Sequence, residues 1–141
     1  LQHFIKVQAL AATIAALENA DEETTFILET AAILHDIGIH ISEAKYGSAS
    51  GHYQELEGPA EAEKLMQKVG GYNASQIEHV MYLIGHHHTY NNIDGIDYQI
   101  LVEADFLVNL YEDNVSAEAV KNARRQIFRT SAGTRLLDNM F

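Results

Sequence analysis

Residues 31–38 read AAILHDIG, and the fold turns on how this stretch is read. Ala31, Ala32, Ile33 and Leu34 form an apolar helical run that delivers His35 and Asp36 side by side, and Gly38 then lets the chain leave the helix. A neutral imidazole is a borderline metal ligand and a carboxylate a hard one, so together they suit a divalent or transition metal. Neighbouring helix residues point about 100° apart, so the two meet on one ion only at the edge or end of the helix. Taken alone, the pair reads as a buried imidazole beside a capping or solvated carboxylate. The metal reading needs partners from elsewhere in the chain.

Upstream, residues 2–18 place His3, Val7, Leu10, Ile14 and Leu17 on one face of an amphipathic helix. An unpaired imidazole on that face needs a partner. Asp21 is a candidate N-cap for a second helix, expected over Glu22–Ile37. Two helices joined by so short a connection pack antiparallel, which brings His3 beside His35 and Asp36.

Downstream, residues 38–53 read as a loop broken by Gly47, Ser48, Ser50 and Gly51, and they carry His40, Lys45 and His52. A loop of that length is either functional or a plain connector. A third helix is expected from about Gln54 or Gly58 to Val69, with Pro59 in its first turn and Leu56, Ala60, Leu65, Met66 and Val69 on its apolar side. A fourth begins near Ala74 or Ser75. Its inner face of Ile77, Val80, Met81 and Ile84 continues to His87 and His88, with His86 more outward. The alternative is a polar helix end with exposed imidazoles. A fifth helix, about Asp97–Tyr111, is apolar almost all round and is therefore expected at the centre. Asp105 shares the face of Leu101 and Val108, where a carboxylate needs a cation or several hydrogen bonds unless it rotates to the rim. Glu103 reads as solvated. A sixth helix, about Ser116–Phe128, opens on Ser116, and residues 130–141 hold a turn at Gly133 and a short apolar end. The expectation is one all-α domain over residues 1–141: a bundle of about six helices with its motif-bearing core over 3–112 and a helical extension over 113–141.

Composition narrows the function. The chain of 141 residues is 47% hydrophobic, with 9 Lys plus Arg against 20 Asp plus Glu, a formal net charge of -11. That balance argues against a nucleic-acid polymer as partner. It also repels an anionic substrate unless a bound divalent cation reverses the field locally. There is no cysteine, hence no disulfide and no thiolate site. No run approaches the roughly 20 apolar residues of a membrane span, and no secretory-signal pattern opens the chain, so a cytoplasmic protein without a membrane partner is expected. The start at Leu1, without Met and inside a helix, suggests that a few native residues precede it.

Four polar residues thus fall on or at the end of faces that are otherwise apolar: His3, His35, Asp36 and Asp105, from the first, second and fifth helices. Two imidazoles and two carboxylates make a reasonable set for Mn, Fe, Ni, Co, Zn or Mg, with open positions for water and a substrate oxygen.

With these residues assembled, the chain resembles the HD-domain superfamily of metal-dependent phosphohydrolases. The family's pattern of H, HD and D over an all-α core is matched by His3, His35-Asp36 and Asp105. The surroundings are similar too: AAILHDIG at the pair, LIGHHHT closing the fourth helix and ILVEADFLVNL around the last Asp. The resemblance covers about residues 3–112, and the tail FRTSAG is also like that of related proteins. It implies that His3, His35, Asp36 and Asp105 ligate one divalent metal. Binuclear members carry a further His four residues before a Gly that opens the third helix, where this chain has Gln54, and another at the end of the fourth, where it has His87 and His88. A second metal is therefore the weaker expectation, with His52 as a conceivable substitute, and a di-iron oxygenase is disfavoured. The expected reaction is hydrolysis of a small phosphorylated metabolite or nucleotide. Asp36, His87 and His88 are the catalytic candidates, and Lys45, His52 and His88 are candidates for binding the phosphate. The competing readings are a catalytically idle module that binds a nucleotide or partner around a structural metal, and an oxygenase or lyase on the same scaffold.

Overall fold

A computed structural model describes residues 2–141 and contains helices and no strand among them. Eight helices follow one another: α1 (Gln2–Leu17), α2 (Glu22–Leu34), α3 (Ile39–Tyr46), α4 (Gly51–Val69), α5 (Ala74–Ile84), α6 (Ile96–Glu112), α7 (Ala117–Gln126) and α8 (Ser131–Met140). The ends are set by short polar side chains. Asp21 accepts the Thr24 N–H at 2.7 Å and opens α2, and Asn73 and Gln76 form a reciprocal capping box at α5. Ser116 and Thr130 cap α7 and α8.

Helix α6 is the axis of the molecule. From Asp97 to Leu110 only Gln99, Phe106 and Asn109 are partly exposed. Helix α1 packs against both α2 and α6, α2 also meets α5 and α6, and α4 lies on α5. The antiparallel α1–α2 pair carries His3 to the end of α2, as the short connection requires. No helix is long and apolar enough to cross a membrane among the described residues.

Several expectations need correction. The described residues form eight helices rather than about six, because the segment expected as a loop over 38–53 is mostly helical and supplies α3, and the expected turn and apolar end over 130–141 supply α8. Gly47, at φ 66°, ends α3 with its N–H on the Glu43 carbonyl, and only residues 47–50 separate α3 from α4. Helix α3 buries only Ser42, so it carries no apolar stripe to read. Gly38 does not release the chain through a left-handed turn, since its φ is -79°. Its role is close approach: a Cβ there would lie 2.8 Å from the Gly58 nitrogen. Gly58 and Pro59 accordingly sit inside α4, whose buried stripe is Gln54, Gly58, Ala62 and Met66. Leu56 and Val69 are left 58% and 70% exposed. In α1 the buried face is Val7, Ala11, Ile14 and Ala15, with Leu17 outside. Residues 130–141 form α8, with Gly133 in its first turn.

Candidate metal centre

Three helices deliver four side chains to one point. His3 Nε2 lies 3.1 Å from Asp105 Oδ1, 3.3 Å from His35 Nε2 and 3.4 Å from Asp36 Oδ2. His35 Nε2 in turn lies 3.3 Å from Asp36 Oδ2 and 3.4 Å from Asp105 Oδ1. Asp105 is buried in the centre of α6, and His35 is fully buried at the turn after α2. Their meeting follows from the fold: α1 begins where α2 ends, and α6 packs across both.

The proton positions give this cluster its chemistry. His35 Nδ1 lies 2.6 Å from the Ala32 carbonyl oxygen. A carbonyl only accepts, so Nδ1 carries the hydrogen and the neutral ring turns a bare lone pair at Nε2 toward the cluster. His3 Nδ1 lies 3.0 Å from the Glu112 carboxylate, which orients the second ring in the same sense. Two lone pairs and two carboxylates then face one another with only acceptors among them. Such a group requires a shared proton or a cation. In the protein alone the proton answers. His3 is raised above the ordinary imidazole range, first by its hydrogen bond to Asp105. Burial disfavours charge on His35, but Asp105 and Asp36 outweigh it and push the ring up to about 10. Burial likewise opposes ionisation of Asp105, yet His3 and His35 hold it well below the carboxylate range. A divalent cation fits the same place. Ligands about 2.0–2.2 Å from one ion sit roughly 3 Å apart, which is the spacing observed, and His3, His35 and Asp36 form a compact donor group able to hold one. The paired Nδ1 contacts to a carbonyl and a carboxylate are the outer support that metal-bound histidines ordinarily have.

A second convergence adjoins the first. Asp36, His87 and His88 also bring donor atoms together, with Asp36 common to both groups. His87 is fully buried. Its Nδ1 donates to the Ile84 carbonyl at 2.6 Å, so Nε2 bears the lone pair, 3.9 Å from Asp36 Oδ1 and without a hydrogen-bond partner among the described residues. Burial and the neighbouring His88 and His35 press His87 down to about 3, so it is neutral at pH 7. His88 is turned differently. Gln54 Nε2 donates to the Ala49 carbonyl at 2.7 Å, which fixes the amide. Its Oε1 therefore faces His88 Nε2 at 3.1 Å as an acceptor, and the hydrogen resides on His88. The segment is braced by Glu55, whose carboxylate accepts the His88 N–H at 2.9 Å and the Thr89 hydroxyl at 2.9 Å.

The remaining candidates engage other partners. Lys45 is exposed and pairs with Glu57 at 3.0 Å, so its charge is already engaged. His52 is exposed, with its ring 5.4 Å from that of Tyr53. Glu103, read as solvated, is fully buried and accepts four hydrogen bonds, from the Arg129 and Thr130 N–H groups, the Thr130 hydroxyl and the Gln99 amide. Two residues escaped the sequence reading. Glu112 follows Asp105 by seven positions, two turns along the same face, and that spacing was an available signal. Glu55 carried none, because its partners are 33 and 34 positions away.

The family model described as HD domain matches residues 1–123. No curated protein and no solved structure matches the chain.

Proposed function

The chain belongs to the HD domain family, and from that premise we propose that it is a metal-dependent phosphohydrolase of small phosphorylated metabolites or nucleotides. The observation that carries the proposal is the all-acceptor cluster of His3, His35, Asp36 and Asp105, buried on one side and reachable through His3 and Asp36 on the other. These four would hold one divalent ion. Such an ion supplies Lewis acidity: it makes water available as a nucleophile at neutral pH and offsets charge on phosphoryl oxygens.

The chain's own groups do the rest. Asp36 reaches the ligand cluster through Oδ2 and faces His87 through Oδ1, so it holds the position between them and orients water there. His87, neutral and with its lone pair unpartnered among the described residues, accepts a hydrogen bond from that water and so orients it. His88, with its hydrogen on Nε2, donates to a phosphoryl oxygen or to the departing oxygen once Gln54 releases it. The Gln54–His88 bond supports one tightly held ion rather than two, because it places a hydrogen where a second ion would need a lone pair. Lys45, paired with Glu57, and the exposed His52 are left to outer contacts with substrate.

The test is metal analysis of the purified protein, followed by a panel of phosphate esters and nucleotides with Mn, Fe, Ni, Co, Zn and Mg added back singly. Ion-dependent release of phosphate from at least one ester is expected. A protein that binds an ion and cleaves none of them would instead be a binding module.

A further inference from the structure

Glu103 and Asp105 stand two positions apart in α6, so their side chains leave the helix about 200° apart. Asp105 faces His3 and His35, and Glu103 faces the tail. There its Oε2 accepts the N–H of Arg129 at 2.8 Å, the N–H of Thr130 at 2.9 Å and the Gln99 amide at 2.6 Å, while Oε1 accepts the Thr130 hydroxyl at 2.6 Å. Thr130 Oγ1 also accepts the Gly133 N–H at 2.9 Å and so caps α8. Position 133 has no room for a side chain, since a Cβ would collide with the Glu103 carboxylate. In the same turn, Glu18 at the end of α1 accepts the Ala132 N–H at 3.0 Å. The corner formed by residues 129–133 therefore takes one carboxylate from the helix that bears His3 and one from the helix that bears Asp105. It lies beyond residues 1–123, which the family model matches.

We propose that this corner positions the metal ligands: it fixes the rotation of α6 and its setting against α1, so that Asp105 meets His3 and His35. The inference rests on the metal reading above. The lever is large. A carboxylate 5–6 Å from the helix axis moves roughly 2 Å when the helix turns by about 20°, whereas a ligand site tolerates errors of about 0.5 Å. Apolar packing alone holds a helix without choosing its rotation to that accuracy; a carboxylate with four directed bonds on the opposite face does choose it.

The experiment is cobalt(II) binding to chelator-stripped protein, followed by visible absorption, for the wild type and for Glu103→Gln, Thr130→Val and Thr130→Ser. Glu103→Gln keeps the shape and loses the acceptor geometry; Thr130→Val loses the hydroxyl; Thr130→Ser keeps it. We expect Kd to rise about tenfold in the first two, with a changed cobalt spectrum, and to stay at the wild-type value in Thr130→Ser. A brace that only stabilises the fold would lower the melting temperature and leave the spectrum and Kd of the folded protein unchanged, and that result overturns the proposal. If Glu103→Gln does not fold, the two Thr130 variants decide. A wild type that takes up no cobalt sinks the metal reading and this inference with it, whereas normal uptake in every variant sinks this inference alone.

Discussion

Glu103 and Asp105 are buried carboxylates of the same helix, two residues apart, and they are satisfied in opposite ways. Glu103 is surrounded by donors that cannot leave: two backbone N–H groups, a hydroxyl and an amide. Asp105 is surrounded by imidazoles whose Nδ1 atoms are committed elsewhere, so that Nε2 meets it with a hydrogen only when the ring is charged. The first arrangement is complete within the protein. The second is complete only with an exchangeable cation, either a proton or a metal ion. A buried carboxylate is thus not in itself a sign of function; what marks a site is a carboxylate whose partners are also acceptors.

Substitutions in the two regions should therefore fail differently. Asp105→Ala is expected to have the largest effect, abolishing both retention of the ion and turnover, while stability can move either way because His35 loses a carboxylate partner and Asp36 loses a like-charged neighbour. Metal content and phosphate release check it, and full activity would remove the metallohydrolase reading. His87→Ala should keep one ion per chain and slow turnover by roughly ten- to a thousand-fold; loss of the ion would make His87 a primary ligand. Glu103→Ala should weaken ion binding less than Asp105→Ala does and should cost stability as well, about 3 kcal/mol in a denaturant titration, because it strands two N–H groups and a hydroxyl. A cost near zero would show that water replaces the carboxylate. The smallest effect concerns pH. His35 at about 10 in the folded, ion-free protein lies above its ordinary 6.5, so its contribution is full below about pH 6.5 and is lost as pH rises toward 10. The melting temperature of ion-free protein should decline over that window, and a bound ion, which replaces the proton, should flatten the decline. An equal slope with and without the ion would mean that the ion binds elsewhere.

The same contrast explains what was legible in the sequence. His3, His35, Asp36 and Asp105 could be assembled without coordinates because each falls on or at the end of a helical face that is otherwise apolar, and a short α1–α2 connection leaves one way to pack. Glu103 was misread because two of the four donors that satisfy it are backbone groups, which have no signature in sequence, and three of the four arrive from residues 129 and 130. Helix α3 was missed since it buries one serine and shows no stripe. Gln54 was identified by position, but its consequence depends on which way its amide is turned, and that is set by the Ala49 carbonyl. The acidic balance was readable from composition. It carries a further expectation: the protein should show no tight, salt-sensitive binding to DNA in a titration from low to physiological salt.

The central claim is that His3, His35, Asp36 and Asp105 share one divalent ion. It is tested most directly by crystals grown with manganese and measured for anomalous scattering. The account predicts one strong peak per chain, about 2.0–2.5 Å from an atom of each of the four residues, with His88 still bonded to Gln54. A peak that excludes Asp105, or that lies only among exposed acids, would contradict it.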